Sequence, residues 1–443
     1  MRNVLLVSRN FAPTSHVSVE RATKLAKYLP EFGWRPTVLT GAPPSAGLPT
    51  DPSLLEQLSE LEILRARAPE FSLFYRRPAR AGSGARSALR SAPKRGAWHP
   101  KAWLVPDSQV LWYPFAVRAA LRAAPTAGWD AIIATSFPPT AFLIAHTVAA
   151  RLGIPYVADF RDGWTQYHAA PRRPSALARY ERWLEGRVIA DAAAVVAVDR
   201  RLVAAPFARI PGDRRPPLHL IPNGYDEEDF ATAPAHELPR CSIVHTGQLR
   251  RSPRPLWAAL TRLLHDRPLL SGGLHFWQIG FVDAAAAAEL ETPPNGVTVH
   301  VVPPVPQREA IGYMLGADVL LVEEFGGIMP SKTSQYLRAG RPLLALLDEG
   351  ESLRTALGGV PQAYLVGREE PDRIAAILGD LATRPRSEPI PPTDIVTAYS
   401  RRGIAQRFAS LLDAACARDI SGAVERGGAR PVPASFSAAR TGP

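Results

Sequence analysis

Two successive series of short apolar runs, alternating with helical stretches, constrain the fold of this chain more than any other feature. Such runs are typical of buried parallel strands, which helices cover on both faces. The first series comprises Val4–Val7, Pro36–Leu39, Leu61–Leu64, Ala131–Ala134, Ile154–Ala158, Ala194–Val198 and Leu218–Ile221. The second comprises Ser242–His245, Leu274–Ile279, Val297–Val301, Val319–Val322, Pro342–Leu346 and Ala363–Val366. The pattern predicts an α/β protein with two doubly wound, Rossmann-like domains facing a central cleft, with ligand at the carboxyl ends of the strands.

The composition between these series predicts the domain boundaries. We expect an N-terminal domain over 1–222, a link over 223–240 and a second domain over 241–392. Residues 393–416 predict a final helix with one apolar stripe, formed by Ile404, Phe408, Leu411, Leu412 and Ala415. Residues 417–443 are rich in Gly, Ala, Pro and Arg, which predicts a disordered tail.

Composition also excludes several protein classes. With 443 residues, of which 46% are hydrophobic and 21% charged, the chain can bury a sizeable core and is not wholly disordered. Its longest apolar stretch, Phe137–Ala150, is broken by prolines and is too short to span a membrane. No signal-peptide pattern opens the chain, and Cys241 and Cys416 suffice for neither a disulfide framework nor a metal cluster. We therefore expect a cytoplasmic protein.

The net charge of +11 rests almost wholly on arginine, with five lysines against 47 arginines. Together with 45 prolines, this skew indicates GC-rich codon usage. No helix-turn-helix, zinc-finger spacing or RNA-binding signature accompanies the charge, so we expect no nucleic-acid partner. Residues 76–101 hold eight basic and no acidic residues and predict a mobile insertion. With Trp98 and Trp103 beside them, they favour peripheral contact with an anionic membrane, and a solvated loop is the alternative.

The turn after the first strand carries no glycine fingerprint for dinucleotides, and no Walker motif occurs. It offers Thr14, Ser15, His16 and Ser18 at a predicted helix start, where backbone N–H groups can bind an anion. Ordinary N-capping by Ser15 or Ser18 is equally compatible with these residues.

A second candidate site follows the strand Ile154–Ala158. There Asp159 and Asp162 flank Arg161, at the edge where an α/β sheet presents its active site. Such a group can orient hydroxyls, bind a phosphate or accept a proton. The alternative is a structural salt bridge at a strand end.

The second domain offers a candidate diphosphate site. Gly247, Arg250 and Arg251 follow its first strand, where backbone can approach a ligand and arginines can neutralise phosphates. Ser331 is predicted to cap a later helix, which places Lys332 in the first turn, on one face with Gln335. A cation there opposes the helix dipole unless an anion offsets it.

These motifs, in this order, resemble the family-four-like glycosyltransferases of the GT-B fold across roughly residues 1–415. In the N-terminal half the matching stretches are Val4–Val7 with Phe11–Pro13, Arg21–Leu29, Pro155–Asp162 and Ile221–Asp226. In the second half they are His245–Gly247 and Lys332 with Tyr336–Pro342.

The resemblance implies transfer of a sugar from a nucleotide-sugar to an acceptor, with retention of configuration. The donor would bind the second domain and the acceptor the N-terminal one, and the final helix would cross back onto the N-terminal domain. Carried over residue by residue, Gly247, Arg250 or Arg251, and Lys332 would hold the diphosphate, without a metal. Gln335 stands where the family has a ribose-binding glutamate. Arg161, Asp162 and His16 are the expected catalytic residues.

Two positions depart from the family pattern. Its Glu-x7-Glu acids would fall at Gly327 and Gln335, neither of which is acidic. Gln335 can still hydrogen-bond a ribose, and Glu323 or Glu324 can replace the first acid. We expect a glycosyltransferase acting in surface-polysaccharide, glycolipid or metabolite glycosylation. The alternatives are a binding or scaffold protein that lost catalysis and a nucleotide-sugar 2-epimerase.

Overall fold

The computed structural model describes residues 1–14, 17–43, 50–56, 58, 60–69, 100–166, 173–324, 329–348, 352–386 and 388–425. Two parallel sheets, of seven and six strands, organise these residues. They confirm the predicted α/β class and the two doubly wound domains. Most of the insertion predicted over 76–101 lies outside the described residues.

The first sheet has the strand order β3-β2-β1-β4-β5-β6-β7. Its strands are β1 (Arg2–Val7), β2 (Trp34–Ala42), β3 (Glu62–Arg67), β4 (Ala131–Thr135), β5 (Tyr156–Phe160), β6 (Ala194–Ala197) and β7 (Leu218–Leu220). The order reverses between β1 and β4, which opens a crevice at their carboxyl ends.

The second sheet has the order β10-β9-β8-β11-β12-β13 and reverses between β8 and β11. Its strands are β8 (Ser242–Thr246), β9 (Leu274–Ile279), β10 (Val297–Val302), β11 (Val319–Glu323), β12 (Leu343–Leu347) and β13 (Ala363–Gly367).

Helices cover both faces of each sheet, so each domain has two hydrophobic layers. In the N-terminal half they are α1 (Val17–Tyr28), α2 (Ser53–Glu56), α3 (Tyr113–Ala127), α4 (Thr140–Leu152), α5 (Ser175–Ala190), α6 (Arg201–Ala208) and α7 (Glu227–Ala231). Then follow α8 (Arg254–Asp266), α9 (Ala284–Leu290), α10 (Gln307–Gly316), α11 (Thr333–Ala339), α12 (Ser352–Leu357), α13 (Pro371–Thr383), α14 (Asp394–Thr397) and α15 (Arg401–Glu425). Among the described residues, no helix is both long and apolar enough to cross a bilayer.

The last helix, α15, packs on the N-terminal sheet. Ile404, Phe408 and Leu412 are buried beside Val4 and Leu6 of β1. The helix ends at Glu425, so the prediction of disorder from residue 417 is wrong for 417–425. No proline interrupts this stretch and Gly422 is its one glycine, so the helix continues.

Two chain segments meet where the chain passes between the domains. The Tyr225 N–H donates to the Tyr399 carbonyl over 3.1 Å, and the Arg401 N–H donates to the Tyr225 carbonyl over 2.7 Å. A Cβ on Gly224 would overlap the Tyr399 carbonyl oxygen, so only glycine permits this close approach. These backbone hydrogen bonds join residues 224–226 to residues 399–401, and we name these two segments the two crossings.

Candidate functional site

The switch point of the second sheet brings together residues that lie far apart in the sequence. Gly247 follows β8 and Lys332 follows β11, and these two strands are neighbours at the reversal of strand order. A Cβ on Gly247 would lie 3.9 Å from Cγ of Lys332. Two of the predicted diphosphate-binding residues therefore lie side by side at the carboxyl edge of the sheet.

The turn at Gly247 packs closely against a second glycine, Gly280. Gly247 has φ +108° and Gly280 has φ +124°, and a Cβ on Gly280 would overlap the Gly247 carbonyl oxygen. The Gly247 N–H donates to Ile279 O over 2.8 Å, and its carbonyl accepts from the Gln278 side chain over 2.9 Å. This packing fixes the backbone of Gly247 beside Lys332.

The segment that carries Lys332 is anchored to the same turn. The Tyr336 hydroxyl accepts from the Thr246 N–H over 2.7 Å, and burial raises the pKa of Tyr336 to about 12. Lys332 itself is the N-cap residue of α11, so the prediction that Ser331 caps this helix is wrong. The Ser331 carbonyl instead accepts from the Ser334 hydroxyl. Among the described residues, the Lys332 ammonium group has no ion-pair or hydrogen-bond partner.

Several buried polar atoms near this segment also lack hydrogen-bond partners within the part of the chain that the structure describes. They are Oε1 of Glu324, Oγ1 of Thr333 and Oε1 of Gln335, and these three residues are 0%, 0% and 4% exposed. A buried polar atom without a hydrogen bond is costly, so each such atom in a folded protein calls for an explanation. A ligand with hydroxyl or amide donors would satisfy them.

The two arginines after β8 have different surroundings. Arg250 is exposed and donates to Oε1 of Gln248 over 3.3 Å. Arg251 forms an ion pair with Asp348 at 2.6 Å, and this hydrogen bond raises the pKa of Arg251. Glu324 also contacts Asp348: its Oε2 accepts a hydrogen bond from the Asp348 N–H over 3.1 Å.

In the N-terminal domain, the structure separates the two carboxylates of the second candidate site. Asp159 lies within β5, which ends two residues later than predicted because the pairing with β6 continues to Phe160. The carboxylate is 0% exposed and accepts from Nε and Nη2 of Arg21, each over 2.8 Å. Arg21 also donates to the carbonyls of Ile221 and Pro222. Asp159 is therefore a structural residue, as the alternative interpretation holds.

Arg161 and Asp162 lie at the carboxyl edge beyond β5. The Asp162 side chain is 42% exposed and stands 3.5 Å from Nε of Arg161, whose pKa burial lowers. The Ser136 hydroxyl, after β4, donates to the Asp162 carbonyl over 3.1 Å and so holds this turn. Asp162 is therefore the acid of this motif that a ligand in the cleft can reach.

Two predicted positions lie outside the described residues, namely His16 and Gly327. So does Ser15, whereas Ser18 lies inside α1 and is not its N-cap, since the helix begins at Val17. Next to them, Thr14 is 1% exposed, and its Oγ1 has no hydrogen-bond partner among the residues that the structure describes.

Sequence reasoning missed residues from other strand ends. Hydrogen bonding to Asp199 raises the pKa of Arg201, and the charge of Glu324 adds to the effect across the two domains. Arg401, which follows Ser400 near the junction of the two domains, is 6% exposed, and its Nη1 has no partner in the described part of the chain. Arg201 and Asp199 follow β6, and this position after a strand could have identified them in the sequence. The sequence around Arg401 contains no pattern that would have identified it. Within the described part of the chain, no three His, Cys, Asp or Glu side chains form a group that could hold a metal ion.

Comparison with known families found a match in the N-terminal half. Residues 18–224 match the model of the glycosyl transferase 4-like domain. This part of the chain is therefore similar to that domain. A comparison with curated proteins found no match.

Solved structures that resemble the whole chain share its two-domain arrangement. Sucrose-phosphate synthase from Thermosynechococcus elongatus is 13% identical, with 96% of this chain and 99% of that chain covered and a TM-score of 0.53. A putative UDP-N-acetylglucosamine 2-epimerase from Listeria monocytogenes is 11% identical, with 97% and 98% covered and a TM-score of 0.53. An E. coli structure, described as trehalose-6-phosphate bound with UDP-2-fluoro glucose, is 12% identical, with 95% and 98% covered and a TM-score of 0.52. At these identities the likeness shows the GT-B fold alone, and the match to the glycosyl transferase 4-like domain lies in its first half.

Proposed function

We propose that the protein is a glycosyltransferase that takes a sugar from a nucleoside-diphosphate donor bound at the second domain. The observation that carries this proposal is the Lys332 ammonium beside the Gly247 turn: it and the buried polar atoms next to it have no partner among the described residues. A diphosphate would lie against Lys332 and the Gly247 backbone. Charge that develops on the leaving diphosphate would be stabilised there.

The donor's ribose and sugar would satisfy the polar atoms around this site. Gln335 Oε1 would accept from a ribose hydroxyl, in place of the family's glutamate, and Glu324 Oε1 would accept from a sugar hydroxyl. Arg250 is exposed and can reach a phosphate, whereas Arg251 is engaged by Asp348. We therefore assign the diphosphate contact chiefly to Lys332.

The acceptor would bind across the cleft, at the carboxyl edge of the N-terminal sheet. Asp162, with Arg161 beside it, would orient the acceptor or the transferred sugar, and His16 is the further catalytic candidate. We propose retention of configuration, no metal requirement, and a sugar, lipid-linked or small-molecule acceptor in the cytoplasm.

Replacing Lys332 tests the donor site. Lys332→Ala should weaken binding of UDP or GDP by about 1.5–3 kcal/mol, the range for a hydrogen bond to a charged group. Isothermal titration measures this. Arg262→Ala is the matched control, because Arg262 is an exposed basic residue of the same domain, on the outer helix α8, and should leave the affinity unchanged.

The same titrations test the scaffold alternative, and a turnover assay separates the epimerase from the transferase. Equal affinity in the Lys332→Ala variant and the unmodified protein, or no affinity in either, would contradict the donor site and favour a scaffold. An epimerase is favoured by one specific observation, the likeness to a 2-epimerase structure. It would convert a nucleotide-sugar without any acceptor, whereas a transferase releases the nucleoside diphosphate faster when an acceptor is added.

A further inference from the structure

The helices α3, α4 and α5 form one layer on a single face of the N-terminal sheet, and their inner sides share one hydrophobic core. A groove of about 490 Å³ opens on the outer side of this layer. Arg118 and Arg122 of α3 and Arg151 of α4 line it, with Tyr113, Val117 and Leu121 as less polar walls. Among the described residues, none of these three arginines has an ion-pair or hydrogen-bond partner.

Acidic side chains are nearly absent from this outer side. Neither α3 nor α4 contains an acidic residue. On α5 both acids point inward: Glu181 is 8% exposed and binds Arg173, and Glu185 is 0% exposed and binds Thr165 and Arg209. Asp191, just after α5, bonds His146 of α4. The layer therefore has a strongly positive outer surface, which is complementary to anions.

The third helix of this layer, α5, carries exposed aromatic side chains. Tyr180 and Trp183 of α5 are 50% and 56% exposed and stack with ring centroids 5.8 Å apart. The Arg187 guanidinium lies 5.9 Å from the Trp183 ring. Arg173 donates to the carbonyls on both sides of Trp103, which brings this 59% exposed ring to the start of α5. We name the arginine groove together with these rings the outer helical face.

We propose that the outer helical face docks on an anionic phospholipid membrane, with lipid phosphates in the groove between α3 and α4. Arginine binds phosphate through its planar fork, and Trp and Tyr favour the region between lipid headgroups and acyl chains. A small soluble anion would account for the three arginines but not for the exposed rings. The inference stands on the N-terminal domain alone and does not rest on the donor site.

Vesicle sedimentation of the full chain tests the proposal. The unmodified protein should bind mixed phosphatidylglycerol–phosphatidylcholine vesicles at low salt, and should bind pure phosphatidylcholine vesicles far less. The groove variant Arg118→Gln/Arg122→Gln/Arg151→Gln should lose affinity at least tenfold, since each basic residue near an anionic surface contributes to binding. All three side chains are exposed, so the fold should persist, and circular dichroism verifies this.

A matched variant distinguishes a local surface from overall charge. Arg262→Gln/Arg354→Gln/Arg373→Gln removes the same charge from exposed arginines of the second domain and should keep the affinity. Trp183→Ala should weaken vesicle binding at high salt too, because its contribution is apolar. Equal loss in both triple variants, or no vesicle binding by the unmodified protein, would overturn the proposal. Binding of glycerol phosphate or of an oligonucleotide, without binding of vesicles, would also overturn the proposal.

Discussion

At the residue scale, the two acids that flank Arg161 illustrate what a sequence leaves open. Asp159 and Asp162 have the same neighbour and the same chemistry, yet one is buried and the other 42% exposed. The difference comes from Arg21, which lies 138 residues earlier and reaches Asp159 from α1. Because that partner is distant in the chain, local spacing could not assign the structural role to Asp159.

This contrast yields a prediction. Asp159→Asn should destabilise the protein by about 3–5 kcal/mol, because it leaves the Arg21 charge buried without its partner. Asp162→Asn should change stability by less than about 0.5 kcal/mol, as exposed substitutions usually do, and should lower sugar-transfer turnover. Urea unfolding of both variants and a transfer assay measure this, and similar unfolding free energies would contradict the assignment.

Packing under the Gly247 turn yields a second prediction. Gly280→Ala should displace the Gly247 carbonyl and so disturb the turn beside Lys332. It should lower the melting temperature and weaken nucleoside-diphosphate binding together. Gly272→Ala is the control: its φ of +78° is also positive, but no atom lies within 4 Å of the added Cβ. That variant should lose only about 1–2 kcal/mol of stability and keep its ligand affinity. Unaltered binding by the Gly280 variant would count against a donor site at this turn.

At the element scale, the strands were predictable and their ends were not. Each predicted strand overlaps an observed strand, because parallel strands covered by helices on both faces are rich in apolar residues. The end of β5 depends on pairing with β6, and no pattern within the run itself reports this pairing. Likewise, the stripe on α15 predicted a helix, whereas its continuation to Glu425 is set by helix propensity in a stretch whose composition suggested disorder.

The packing of α15 on the N-terminal sheet leads to the third prediction. Phe408 is 0% exposed and packs in the N-terminal core, beside Arg21. Phe408→Ala should cost about 3–5 kcal/mol, the range for truncating a buried aromatic side chain. Gln406→Ala, on the exposed side of the same helix, should cost almost nothing. Amide hydrogen exchange should show faster exchange in β1 for the Phe408 variant alone, and slow exchange there would mean that α15 does not support this core.

At the scale of the whole molecule, the proposed site combines residues of both domains. Lys332 and Gln335 belong to the second domain, and Asp162 belongs to the first. Glu324, after β11, and Arg201, after β6, lie close enough for the Glu324 charge to raise the pKa of Arg201. The sequence predicted the fold of each domain, because each domain repeats a known strand–helix pattern. Sequence could not predict how the two domains are placed relative to each other. The contacts of residues 224–226 with 399–401 contribute to this placement, and they join segments that lie far apart in the chain.

Those contacts give the last prediction. Gly224→Ala should push the Tyr399 carbonyl away and break the backbone hydrogen bonds that join the two crossings. Because the donor site lies within the second domain, nucleoside-diphosphate affinity should persist while transfer to an acceptor falls. Calorimetry should show a lower or divided unfolding transition, since the domains lose their shared junction. Gly212→Ala, where no atom lies within 4 Å of the added Cβ, should leave both measurements unchanged. If Gly224→Ala retains full turnover and a single unshifted transition, the crossings do not set the domain arrangement that transfer requires.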